Sequence, residues 1–163
     1  MSAPDGVDRI LAQWATERPD LETTAMGIFG RIQRIARLAS ETGERAYAAF
    51  GIGRPEFDVL ATLRRSGAPY RLTPTELYRW LMLSSGAMTN RIDRLEVDGL
   101  VERVDDPRDR RGCLVGLTER GKELVDRAMD AHVENETALL GALDAEDRKN
   151  LGAILRKLLL SLE

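Results

Sequence analysis

AMTNRIDRLEVDGLVERVDDPRDRRGCLVGLTERG, residues 87–121, reads as a helix, then a hairpin, then the start of another helix. Met88, Ile92 and Leu95 fall on one stripe at the 3.6-residue period, and the stripe stops at Gly99, a residue type that commonly ends helices. Gly86, Thr89, Asn90, Asp93 and Arg94 lie across from that stripe, so one face is apolar and the other polar. Residues 100–104 and 113–117 are short strand-like runs, and the loop expected between them at 105–112 contains Pro107 and Gly112, which oppose helix. Arg108, Arg110 and Arg111 crowd its tip. A polar-faced helix followed by an arginine-tipped hairpin is the core of a winged helix-turn-helix.

The flanking sequence supplies the remaining parts. Immediately upstream, Thr73-Pro74-Thr75-Glu76 is a strong helix start, with Thr73 as N-cap, Pro74 at the first helical position and Glu76 able to close a capping box. That helix ends near Leu81, and Leu83-Ser84-Ser85-Gly86 forms the short connection a helix-turn-helix needs. Further back, Pro55 fits the first turn of a helix carrying Phe57, Val59, Leu60 and Leu63 and closing at Gly67. Residues 21–50 read as one long helix through Met26, Phe29, Ile32, Ile35, Ala36 and Ala39, and residues 7–17 as a short leading helix with Val7, Ile10, Leu11 and Trp14 on one side. Downstream, Thr118 caps a long helix running past His132 toward Leu143. Asp144 with Asp147 starts the last helix, whose apolar positions Leu151, Ile154, Leu155, Leu158, Leu159 and Leu162 make a stripe too broad for a solvated surface. Terminal helices of that kind suit a dimer interface.

Composition narrows the function classes. The 163 residues fit one domain, and 43% hydrophobic content is ordinary for a globular core. No apolar run approaches a membrane span and the N-terminus lacks a signal-peptide core, so a soluble, cytoplasmic protein with no membrane partner is expected. One cysteine, Cys113, excludes an intramolecular disulfide and reads as a small packing residue rather than a redox sensor. With one histidine, His132, neither a His/Cys metal site nor any cofactor is indicated, and no nucleophile–base pair or phosphate loop points to an enzyme. Net charge is -3, which does not advertise a nucleic-acid binder. Across residues 79–111, Arg79, Arg91, Arg94, Arg103, Arg108, Arg110 and Arg111 are matched by Asp93, Glu96, Asp98, Glu102, Asp105, Asp106 and Asp109. DNA binding by this chain would depend on how those charges are sorted in three dimensions.

The spacing of Ala87-Met88-x-Asn90, Leu95-Glu96, Gly99-Leu100-Val101, Asp109-Arg110-Arg111 and Thr118-x-x-Gly121 resembles the signature of the MarR family of bacterial transcriptional regulators, and the likeness extends over residues 26–162. The resemblance implies a mainly α chain with a small β-hairpin wing, dimerising through its N- and C-terminal helices. Residues 1–50 and 118–163 would form the helical dimerisation lobe and residues 54–117 the DNA-binding lobe of a single domain, 1–163. It also implies a double-stranded, pseudo-palindromic DNA operator as partner, a repressor's role, and release by a small ligand.

Within that frame Ser85, Gly86, Thr89, Asn90 and Arg94 are candidates for groove contacts. Asn pairs with adenine and Arg with guanine in bidentate fashion, while Ser and Thr serve bases or phosphates. Arg108, Arg110 and Arg111 are the wing candidates, since a planar guanidinium suits a narrow minor groove. Arg91 lies about 60° from Met88 on the helix, toward the protein. Together Trp14, Asp58, Arg91 and Arg103 resemble the urate-responsive subgroup of the family, in which a Trp, an Asp and two Arg line a ligand pocket. A flat purine anion can stack on an indole, accept from a guanidinium and donate N–H groups to a carboxylate. The alternatives are another aromatic or phenolic effector, a structural Asp58–Arg91 ion pair with Trp14 in a dimer core, and a winged-helix adaptor that does not bind DNA.

Overall fold

The computed structural model describes residues 3–81, 85–107 and 109–163, with the backbone alone at 85–87, 110 and 111. The chain divides into two units, Met1–Thr42 and Gly43–Glu163. In the first, α1 (Gly6–Glu17) starts at Asp5, whose carboxylate accepts from the N–H groups of Val7 and Asp8 while the Asp8 carboxylate accepts from the Asp5 N–H at 2.9 Å. That reciprocal box satisfies donors a helix start leaves unpaired. The long helix α2 (Thr24–Ala48) begins in this unit and runs on into the second. Arg31 of α2 holds α1 by donating to Asp5 at 2.9 Å and to Asp8 at 2.5 Å, and Gly30 leaves room for the buried Val7.

The second unit continues with α3 (Arg54–Arg65), β1 (Arg71–Leu72), α4 (Pro74–Leu81), α5 (Ser85–Val97), β2 (Val101–Asp106), β3 (Asp109–Leu117), α6 (Glu119–Leu139) and α7 (Ala145–Leu160). Its core gathers Val59, Leu60 and Leu63 of α3, Leu77 of α4, Met88, Ile92 and Leu95 of α5, Val101 and Val115 of the sheet, and Val125 and Ala128 of α6. Each large aliphatic side chain buried there stabilises the fold by roughly 1.5–3 kcal/mol. The apolar stripe of residues 88–95 is therefore the surface that fixes α5 in place. All of the expected caps form. The Glu76 carboxylate accepts from the Thr73 N–H at 2.7 Å while Thr73 Oγ1 accepts from the Glu76 N–H at 3.2 Å; Thr118 accepts from the Gly121 N–H, and Asp144 from that of Asp147. Gly99, at φ +64, ends α5: its N–H reaches the Glu96 carbonyl and that of Leu100 reaches the Leu95 carbonyl, the paired bonds of a left-handed helix stop.

The wing differs from the sequence expectation in two ways. It is a three-stranded antiparallel sheet in the order β1-β3-β2, in which Arg71 pairs with Gly116 and Leu72 with Val115. A two-residue strand has no periodicity to read and exists only through its partner. The hairpin is also longer than expected, since β2 runs on through Asp106 and β3 begins at Asp109, within the stretch expected as loop. Asp105 pairs with Cys113 but Asp106 pairs with Asp109, so Arg110, Arg111 and Gly112 are extra residues on β3 and make a bulge. Pairing carries the strands through residues of poor β-propensity because each new rung needs only to continue an existing ladder.

Helix α7 contributes no buried residue, and Leu151, Ile154, Leu155 and Leu159 are exposed along it. No helix among the described residues is long and apolar enough to cross a membrane.

Candidate nucleic-acid interface and effector site

Helix α4 and the core stripe of α5 present the far side of α5 outward. Thr89, Asn90, Asp93 and Arg94 are all exposed, while Met88, Ile92 and Leu95 are at most 1% exposed. Ser85 and Gly86 belong to the first turn of α5, and Arg110 and Arg111 to β3; only the backbone of these four is described, and Arg108 lies outside the described residues altogether.

The local charge balance is resolved by pairing. Arg103 of β2 donates to Asp93 and Glu96 of α5, and its backbone N–H also donates to Glu96 at 3.2 Å. The bond to Asp93, followed by the charge of Glu96, pushes the guanidinium pKa up. One arginine of the wing thus pairs with two carboxylates of the exposed helix, offsetting one of their two charges and tying β2 to α5. Arg94 donates from Nη1 to Glu56 of α3 at 3.2 Å. Arg91, between the buried and exposed faces, is half-buried, in keeping with its place on the helical wheel.

Asp58 of α3 lies within electrostatic reach of that residue. Burial pushes its carboxyl up from the ordinary carboxylate range, opposed by the charges of Arg54, Arg91 and His132. Arg54 Nε lies 3.8 Å from the Asp58 carboxylate. Beside it, Tyr47 and Phe57 stack with centroids 4.3 Å apart, and the Tyr47 hydroxyl bonds with His132 Nδ1 at 2.9 Å. His132 Nε2 lies 3.4 Å from Glu136. Asp58 therefore pairs with Arg54 and lies within electrostatic reach of Arg91, Arg103 is anchored to Asp93 and Glu96, and Trp14 belongs to the first unit, 39% exposed on α1. Sequence reading misses Tyr47, Arg54, Glu56 and His132. The four-residue spacings of Arg54 with Asp58 and of His132 with Glu136 on helices are local signals; the pairings of Tyr47 with His132 and of Glu56 with Arg94 join separate elements.

A pH test follows from Asp58. Its folded pKa is raised, so the stability it contributes is full below the unfolded value and is lost as pH rises through the folded one. Asp58→Asn removes that titration. Wild type is expected to lose thermal stability relative to Asp58→Asn as pH climbs from about 4 toward neutrality; parallel melting curves over that range would mean that burial does not govern this carboxyl.

Residues 50–112 match the model of the MarR family. The HTH-type transcriptional regulator PecS of Dickeya dadantii (strain 3937) is 37% identical over 149 residues, which cover 91% of this chain and 90% of that protein. The chain belongs to the MarR family. The multiple antibiotic resistance protein MarR of Escherichia coli (strain K12) is 35% identical over 109 residues, 64% of this chain and 71% of that protein. The crystal structure of a cysteine-to-serine mutant of E. coli MarR complexed with operator DNA superimposes with a TM-score of 0.73 at 27% identity, covering 84% of this chain and 96% of that one. These MarR-family relatives are transcription regulators, not enzymes.

Proposed function

We propose that this chain is an operator-binding repressor that acts as a two-fold dimer and is released by a small planar anion such as urate. The observation that carries the DNA-binding part is the division of α5, which buries Met88, Ile92 and Leu95 and turns Thr89, Asn90 and Arg94 outward. The related E. coli MarR, solved in complex with operator DNA, supports DNA binding by this chain. Pairing of Asp93 and Glu96 with Arg103 supports it further, because it offsets one of two carboxylate charges that would otherwise repel phosphates. In this reading Ser85, Gly86, Thr89, Asn90 and Arg94 contact the major groove, and Arg108, Arg110 and Arg111 the minor groove. Residues 1–50 and 118–163 form the dimerisation lobe, for which the exposed row on α7 is the natural surface. Light scattering is expected to return two copies at micromolar concentration; a monomer would be incompatible with a two-fold operator.

Gel shifts against the promoter region beside the chain's own gene test the interface. Asn90→Ala is expected to cost roughly 1–3 kcal/mol, mainly on the cognate operator, whereas Arg110→Ala weakens binding to many sequences and lowers the salt slope by about one. An Arg110→Ala protein with unchanged affinity and slope would refute the wing assignment. Absence of salt-dependent binding in wild type would favour an adaptor.

The effector part rests on Asp58 and Arg91. A half-buried carboxylate and a guanidinium of the recognition helix, within electrostatic reach of one another, offer a planar anion both an acceptor for its N–H groups and a cation. Arg103 and Trp14 complete the proposed set.

A further inference from the structure

Arg94 is exposed on the recognition helix, yet its guanidinium is held from behind. Its side chain is 69% exposed, and Nη1 donates at 3.2 Å to Oε1 of Glu56, whose own side chain is only 10% exposed. Glu56 is one of two buried polar residues of the second unit among those described. Its other oxygen accepts from the Gly53 N–H at 3.1 Å, closing the cap of α3. That bond fixes the carboxylate to a helix start on a different element from the one it serves. A buried, doubly bonded carboxylate has few rotamers open to it.

We propose that Glu56 is a positioning residue for DNA readout: it holds the Arg94 guanidinium in a fixed orientation on the outer face of α5, so that the side chain is ordered before the operator arrives. This rests on the reading of α5 as the recognition helix. One N–H of five goes to Glu56, and those remaining suffice for a bidentate bond to a guanine edge. Ordering a long, rotamer-rich side chain on binding weakens association, and an anchor present in the free protein removes that cost. An arginine on a solvated helix face with no buried anchor would have to be ordered by DNA alone.

The test uses the full-length chain and a set of operator duplexes with single base-pair changes. Glu56→Gln keeps an oxygen for the Gly53 N–H and loses the charge; Glu56→Asp keeps the charge and withdraws the carboxylate by one methylene. Both are expected to bind the cognate operator roughly 3- to 10-fold more weakly. Both should also lose discrimination at the same base pair at which Arg94→Ala loses it. The double variant Glu56→Gln/Arg94→Ala should be no weaker than Arg94→Ala, a non-additivity that a general loss of stability would not produce. Tighter binding by Glu56→Gln would overturn the proposal, since the carboxylate would then be withholding Arg94 from DNA. Additive losses, or Arg94→Ala discriminating as wild type does, would overturn it too. Failure of wild type to bind any operator would instead overturn the reading of α5, and this proposal with it.

Discussion

Replacing Gly121 by alanine is expected to destabilise the fold by about 3 kcal/mol or more, although alanine is the better helix former. A Cβ at this position would stand 1.9 Å from the carbonyl oxygen of Leu100 and 2.8 Å from its carbon. Neither atom belongs to a flexible side chain. The carbonyl accepts from the Thr118 N–H at 3.2 Å, Thr118 Oγ1 donates to the Gly99 carbonyl at 2.9 Å, and Arg120 Nη1 donates to the Asp98 carbonyl at 2.8 Å. To make room, the first turn of α6 would have to retreat from the end of α5 and break those bonds, each contributing about 1 kcal/mol. Helix propensity favours alanine over glycine by about 1 kcal/mol, so the steric term decides the sign. Urea unfolding followed by circular dichroism measures it, and a gain in stability would show that the α5–α6 junction gives way easily. Because the affected segment follows the end of α5, the proposed recognition helix, Gly121→Ala is also expected to weaken operator binding in whatever fraction remains folded.

Gly121 illustrates what the sequence makes legible. Its place in Thr118-x-x-Gly121 is visible in the chain, as are the caps at Thr73, Thr118 and Asp144, the glycine stop at Gly99 and the stripe through Met88, Ile92 and Leu95, because each depends on residues within one or two turns. What the glycine packs against is not visible, since Leu100 lies in the connection between α5 and β2 and the clash exists only in three dimensions. The same divide separates the charges. Arg94 with Glu56, and Tyr47 with His132, join residues 38 and 85 positions apart, and nothing in the local pattern singles out those partners. A matched count of arginines and carboxylates over residues 79–111 leaves DNA binding open; pairing Asp93 and Glu96 with Arg103 bears on it directly, and only the fold reveals that pairing. Strand β1 escapes sequence reading because Arg71 and Leu72 are strand only by virtue of Gly116 and Val115. The bulge at residues 110–112 reads as loop, since its composition is that of a loop.

Urate, added to the protein on its operator, is expected to release the DNA, with a coupling of about 1–3 kcal/mol, or roughly 5- to 150-fold in affinity. The effect originates at Arg91. It lies on α5, the helix proposed to enter the groove, is half-buried rather than turned to solvent, and is within electrostatic reach of Asp58 of α3. An anion that draws the Arg91 guanidinium to itself pulls on α5, and two recognition helices must meet successive major-groove faces about 34 Å apart. A small rotation of each is enough to spoil the fit. Arg103 extends the effect, since it bonds to Asp93 and Glu96 on the same helix and would carry the wing along. Linkage requires DNA to weaken urate binding by the factor by which urate weakens DNA binding, so the two titrations check each other. Trp14 supplies an optical signal if α1 contributes to the site: its emission should change on stacking in wild type and not in Trp14→Phe, where Trp80 reports alone. Arg91→Ala should hold its operator and no longer respond to urate, whereas Asp58→Asn should bind urate more weakly through loss of the anionic acceptor for its N–H groups. Saturable release that persists undiminished in both Trp14→Phe and Arg91→Ala would remove these residues from the site. No release in wild type, with salicylate or another phenolic acid releasing the DNA in its place, would assign the response to a different aromatic anion.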